Sequence, residues 1–303
     1  MLLDEDKITE IFFIADEFCK EYDKFIKKHA LKPDDGKRHR NKPNRMSDAE
    51  VITILIAFHS SGMRTLKHFY QDYICVHCRH LFPKLLSYNR FTELEKEVGL
   101  ELFLLLKLRL LGQCSGVNFV DSTVMRVCRN QRIHSHKVFK NLAKRGKHSM
   151  GWFYGFKLHI IINDRGEILN FMLTPGDVDD REPLRDRSFT EKIYGKLVGD
   201  KGYISKELFA ELFVNGIQLI TKLKNNMKNM LMSAANKILL RKRAVIETVN
   251  DELKNIAQIE HSRHRSFNNF LSSTFAALAA YCFFPKKPSI SLDFYDDNQL
   301  TLF

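Results

Sequence analysis

Apolar residues follow two different rhythms along the 303-residue chain, and the change comes near Gly116. Before it, Ile8, Ile11, Phe12, Ala15, Phe18, Cys19, Tyr22, Phe25 and Ile26 recur at steps of three and four, which predicts an amphipathic helix over residues 4–29. Residues 31–45 hold two prolines, a glycine and the basic run 37–42, and read as a loop. Ser47 and Glu50 then form a capping box ahead of the apolar stretch 51–58. Ser60, Ser61 and Gly62 end that helix, and further helices are expected over 63–73 and 88–111.

Beyond Gly116 the spacing becomes strand-like. Residues 117–120 form an apolar run, 153–162 alternate around Lys157 and His159, and Asp164-Arg165-Gly166 turns into 167–174, which predicts a hairpin. A helix over 180–194, a strand over 196–198, a helix over 205–214 and a strand over 217–223 follow. The expected fold is therefore α/β, a mixed sheet flanked by helices and preceded by an all-α N-terminal domain. Expected boundaries are 1–112 for the helical domain, 113–284 for the α/β domain and 285–303 for a tail.

A formal charge of +12 and a pI near 9.3 favour a polyanionic partner, because neutralised phosphates release condensed counterions. Charge alone does not separate DNA, RNA and anionic membrane. Residues 1–7 carry three acids, which does not suit a signal peptide. Lys107 and Arg109 interrupt the apolar stretch 102–111, and 270–284 falls short of the roughly 18 residues of a spanning helix. A cytoplasmic protein without a membrane partner is expected. Six scattered cysteines suit reduced thiols. Cys75 and Cys78, with His77 and His80, lack a second ligand pair at zinc-finger spacing and read as ordinary thiols.

Three carboxylates stand out. Asp121 follows the run 117–120 and Asp200 follows Leu197 and Val198, so each is expected at the carboxyl tip of a strand. Glu247 lies on a helix whose buried stripe is Ile246, Val249, Leu253 and Ile256. Such a set can hold two Mg²⁺ ions, with Mn²⁺ as a substitute, about 3.5–4 Å apart to clamp both oxygens of an in-line phosphoryl displacement. Each acid also has a plainer role: Asp121 capping a turn with Ser122 and Thr123, Asp200 opening a turn, and Glu247 in an ion-pair ladder with Arg243, Asp251 and Lys254. Their coincidence in a basic α/β chain favours the metal site. Asp177, Asp179 and Asp180 compete with them and read as caps before a helix.

Residues 126–147 are densely basic, with Arg126, Arg129, Arg132, Lys137, Lys140, Lys144, Arg145 and Lys147. They form either a solvated loop or, as expected from their place after the first acid, a grip on the DNA backbone. Lys157 and His159 share a strand face and could reach a phosphate, although His159 could equally be buried. Trp152 either stacks on an unpaired base or packs in the core. Lys201, Arg243 and Lys254 complete the expected DNA contacts near the acids, while Arg64, Lys67 and His68 lie in a segment loosely like a helix-turn-helix.

At these residues the chain resembles bacterial insertion-sequence transposases with a ribonuclease H-like DDE core, most closely the family numbered 982. Beyond the acids, the likeness rests on Ser87-Tyr88-Asn89-Arg90-Phe91, Val120-Asp121-Ser122-Thr123, Gly151-Trp152-Phe153-Tyr154-Gly155-Phe156-Lys157-Leu158-His159 and Thr174-Pro175-Gly176-Asp177-Val178-Asp179-Asp180. Arg243, Glu247 and Lys254 match three positions of a Tyr-Arg-Glu-Lys signature in related transposases, whereas Leu240 stands at the tyrosine position. The resemblance implies that Asp121, Asp200 and Glu247 are the catalytic metal ligands, and that residues 1–112 recognise element ends. It implies cleavage at those ends and transfer of the 3′-hydroxyl to target DNA by a homo-oligomer, expected to be a dimer. A nuclease of the same fold in repair or defence, without strand transfer, is the alternative; a DNA-binding regulator derived from a transposase is disfavoured by the intact acids.

Overall fold

The computed structural model describes residues 3–29, 44–148, 151–222, 232–260, 264–291 and 300–301; the basic run 37–42 lies outside them. Two compact units emerge, Met1–Leu110 with Leu253–Pro285, and Leu111–Glu252 with Lys286–Phe303.

In the first unit, the helix Glu5–His29 buries Ile8, Ile11, Ala15 and Phe18. The capping box closes as its residues dictate: the Ser47 N–H donates to Glu50 Oε2 at 2.7 Å and the Glu50 N–H to Ser47 Oγ at 3.2 Å. From Val51 to Ser60 every side chain of the helix Asp48–Ser60 is buried. A helix apolar on all sides needs neighbours on all sides. The equally apolar helix Phe267–Cys282 supplies one of them, packing on Asp48–Ser60, Tyr88–Glu97 and Gly99–Leu105. Between the two central helices, His59 Nδ1 donates to the Ala257 carbonyl at 2.6 Å and Nε2 accepts from the Ser273 hydroxyl at 3.2 Å.

The expected boundary at 284 is corrected by this packing, since 253–285 belong with the N-terminal helices and not with the α/β unit. Two predicted helices are also interrupted. Only Leu66–His68 of 63–73 is α-helical before a π-helical Phe69–Ile74. The span 88–111 breaks at Val98 into Tyr88–Glu97 and Gly99–Leu105, then ends as a π-helical Leu106–Leu110.

The second unit is built on strands β1 (Val117–Cys128), β2 (Lys144–His148), β3 (Gly151–Asn163), β4 (Ile168–Pro175), β5 (Gly195–Gly199) and β6 (Ile217–Thr221). Strand β3 lies between β1 and an edge shared by β4 and β2, all antiparallel to β3, while β1, β5 and β6 run parallel. This is the expected ribonuclease H-like mixed sheet. Helices cover one face, where Val120, Ile161, Leu197 and Leu219 meet Leu184, Phe189, Tyr203, Leu208 and Leu212 in one apolar cluster. The predicted helix 180–194 is instead two single turns, Glu182–Arg185 and Arg187–Thr190. Asp186 divides them by accepting from the Ser188 N–H at 2.8 Å, a cap that starts a new turn.

Candidate active site

Strands β1 and β5 pair from Val117 with Lys196 to Phe119 with Val198, a constant offset of 79 residues (196 − 117 and 198 − 119). Carried two residues further, that offset sets Asp121 level with Asp200 (121 + 79 = 200), where the parallel ladder has ended. Strand β1 itself continues to Cys128 through its pairing with β3. Asp121 is thus at the end of the parallel ladder but in the middle of its strand, which corrects the expected strand tip. The splay beyond the carboxyl ends of parallel strands is where α/β sheets leave room for a ligand.

The carboxylate of Asp121 accepts from Asn250 Nδ2 at 3.0 Å. Burial pushes its carboxyl up to about 6; Arg243 and the Ser122 N–H pull it back, and Asp200 and Glu247 add to the rise. Asp200 and Glu247 are therefore both close enough to act on Asp121. Asp200 is exposed and accepts from the Lys201 N–H at 2.6 Å as the cap of the turn Lys201–Tyr203. Glu247, in the first turn of the helix Ala244–Asn255, is ion-paired to Arg243.

Among the described residues no group of three or more His, Cys, Asp or Glu is gathered closely enough to hold a metal. Asp200 and Glu247 are each turned to a local partner. The donor set nonetheless fits a hard cation, since it is all oxygen. Asn250 Oδ1 adds to it: this atom is buried without a hydrogen-bond partner, three residues from Glu247 and so on the same helix face. Asn250 was not singled out from the sequence, although its spacing from Glu247 was a usable signal.

Strand alternation sets Lys157 and His159 on the opposite face from Asp121, which pairs with Ile160. Lys157 is 9% exposed, and its ammonium donates to the Val178 carbonyl at 2.8 Å and to Asp180 at 2.9 Å. The expected phosphate contact is replaced by this internal ion pair. His159 is buried, with Nε2 2.9 Å from the Thr174 hydroxyl and burial lowering its pKa to about 4, so the ring is neutral. Tyr203 also lies on this side, in the apolar cluster with Val120 and Ile161; burial, with Asp121, Asp180 and Asp200, raises its pKa well above the usual tyrosine value, against a smaller opposing effect of the Ser122 side chain. Asp179 accepts from the Arg181 backbone at 2.9 Å and pairs with its guanidinium, a capping role.

The basic segment is partly ordered structure, a 3₁₀ turn at Asn130–Arg132 and the edge strand β2. Phe139 anchors it: the buried ring meets Phe156 edge-on at 5.9 Å, and the Tyr154 hydroxyl donates to the Phe139 carbonyl at 3.2 Å. Arg126, Arg132, Lys137, Lys140, Lys144 and Lys201 are exposed. Lys254 pairs with Glu260 at 3.5 Å and Arg243 with Glu247, so those two face acids. Trp152 is 52% exposed, which excludes the core-packing role.

A mixed sheet of this topology, with acidic side chains near the end of its central parallel ladder, is the framework of a DDE-type domain. The transposase DDE domain family matches residues 111–267, more than half of the chain, and the chain belongs to that family. No curated protein matches the sequence. Among solved structures, the chain is similar to a Mos1 transposase paired-end complex with left transposon end, at 14% identity and a TM-score of 0.22, over 67% of this chain and 66% of that one. It thus spans just under two thirds of that chain's length. It is also similar to a Mos1 strand transfer complex, at 10% identity and a TM-score of 0.24, over 75% and 80%. No helix among the described residues is long and apolar enough to cross a membrane.

Proposed function

We propose that the chain is the transposase of an insertion sequence most similar to the family numbered 982, which cuts DNA at element ends and joins the freed 3′-hydroxyl to target DNA. What carries the reading is the level placement of Asp121 and Asp200 at the splay of β1 and β5, with Glu247 acting on Asp121 from the helix Ala244–Asn255. Asp121, Asp200 and Glu247 would hold the metal, with Asn250 beside them. Held there, Mg²⁺, or Mn²⁺ in its place, would supply the lowered pKa of the attacking oxygen and the stabilisation of the leaving one. Arg243 offsets the mutual repulsion of the acids until the cation does so. Exposed Arg126, Arg132, Lys137, Lys140, Lys144 and Lys201 grip phosphates without reading sequence. End recognition belongs to the first unit, where Arg64, Lys67 and His68 are exposed. The protein works on DNA in the cytoplasm as a homodimer that holds two ends.

The test is a plasmid carrying the coding region with its flanking DNA, incubated with the purified protein and Mg²⁺. Strand-transfer products bounded by short inverted repeats are expected. They should vanish in Asp121→Asn, Asp200→Asn and Glu247→Gln while DNA binding persists. Cleavage without joined products would favour the nuclease. Wild-type cleavage in any of the three variants would remove that residue from the site, with Asp180 the next to examine.

A further inference from the structure

The sheet edge bears a feature that phosphate contacts alone do not explain. Strand β2 reads Lys144-Arg145-Gly146-Lys147-His148, and Lys147 pairs directly with Trp152 of β3 while Arg145 pairs with Tyr154. The Arg145 guanidinium lies 4.9 Å from the Trp152 ring centroid and the Lys147 ammonium 5.9 Å from it. Asn130 Nδ2 donates to the Trp152 carbonyl at 2.8 Å and ties down the backbone beneath the ring. Gly146 faces the other way, onto Gly176, and leaves so little room that an added Cβ would lie 2.0 Å from the Gly176 carbonyl oxygen. The ribbon is therefore seated firmly on its inner side and presents on its outer side a half-exposed aromatic ring with two cations drawn to it. Basic residues by themselves would suffice to keep an edge strand from pairing with another chain. An exposed indole works against that purpose, so it requires a separate reason.

Alternation along β3 sets Trp152 on the same sheet face as Ile160, the cross-strand partner of Asp121. Eight residues separate them (160 − 152 = 8), about 26 Å along the strand, or about eight base-pair steps of a duplex. The Phe139-anchored segment covers Tyr154 and Phe156 between the two points and turns Lys137 and Lys140 outward. A cationic track thus leads from Asp121 to Trp152.

We infer that Trp152, flanked by Arg145 and Lys147, is a stacking platform for an unpaired base of the bound DNA, about eight nucleotides from the phosphate at Asp121. The inference rests on the DNA-cutting role proposed above. An indole face accepts any base, and the two cations now drawn to the ring would turn to the neighbouring phosphates as the base stacks. A paired, stacked base presents no free face, so the platform selects single-stranded or locally opened DNA.

Trp152 is the only tryptophan in the chain, so the emission of the unmodified full-length protein reports this residue alone. Oligothymidylate of about 30 nucleotides, enough to cover a single-strand site, should quench that emission on binding, and an intact duplex of the same length should not. Trp152→Ala should weaken oligothymidylate binding by about 5- to 150-fold, with duplex binding little changed and Trp152→Phe restoring most of the loss. Saturable oligothymidylate binding with unaltered emission, or unaltered affinity in Trp152→Ala, would overturn the platform. An emission shift on raising protein concentration without DNA would overturn it in favour of contact with a second copy of the chain. In each of these cases Asp121-dependent cleavage would still stand, whereas a wild-type protein that neither binds nor cuts DNA would remove the transposase reading as well.

Discussion

Replacing Asp121 by Asn should stabilise the metal-free protein while abolishing cleavage. The carboxyl of Asp121 is raised from 3.8 to about 6, chiefly by burial, with Asp200 and Glu247 adding to it. At about 1.36 kcal/mol per pKa unit this amounts to about 3 kcal/mol above pH 6. Residual solvent access at this partly buried side chain reduces the expected gain to about 2 kcal/mol. The sign follows from linkage. A carboxyl with a raised folded pKa contributes stability that is present below its unfolded pKa and lost as pH rises through the folded value. Wild type and Asp121→Asn should therefore melt alike near pH 4, diverge between pH 4 and 6, and stay apart above it. The substitution keeps an oxygen for Asn250 Nδ2, so packing is preserved. For a unit of this size about 2 kcal/mol corresponds to a melting shift of roughly 4–8 °C. Calorimetry in EDTA across that pH range measures it, and added Mg²⁺ should raise the wild type while leaving the variant unmoved. Equal or lower stability of the variant at pH 7.5 without metal would refute a carboxylate held at a cost.

Other expectations follow from single features. Glu95, buried against Asn269 Nδ2 at 2.6 Å, has its carboxyl raised by burial to about 7, so Glu95→Gln should gain about 3 kcal/mol relative to wild type as pH rises from 4.5 through 7, measured by denaturant unfolding; buried His59 and half-buried His264, both lowered to about 4, oppose this trend equally in both proteins. Gly146→Ala should cost about 1–3 kcal/mol and raise hydrogen exchange across β2, because the new Cβ meets the Gly176 backbone; unchanged exchange would show that the edge yields easily. Neutralising Arg132, Lys137, Lys140 and Lys144 together should weaken cognate and random DNA alike and reduce the salt slope by about 0.9 per lost phosphate contact; an unaltered slope would make the segment a mere solvated surface. A fragment of residues 111–285 should aggregate, because the helix Phe267–Cys282 would lose its helical partners, whereas 111–252 should stay in solution.

Local pattern was enough for elements whose signals lie within a few residues. The box of Ser47 and Glu50, the turn through Gly166 and the βα alternation after Gly195 each carry their cause in adjacent side chains. The three acids stand out in the sequence because each follows an apolar run or sits on an amphipathic helix. Chain separation hid the rest. Nothing near Phe267 says that its helix packs with residues 48–60, because an all-round apolar helix does not name its neighbours. The level placement of Asp121 and Asp200 depends on the register of β1 with β5, and the inward turn of Lys157 on a partner 23 residues away. Sequence by itself determined which residues are chemically able to hold a cation and grip DNA, since that is a property of side chains and local spacing. Only the tertiary structure decided which of them share a face, because register and packing are settled between segments distant in the chain.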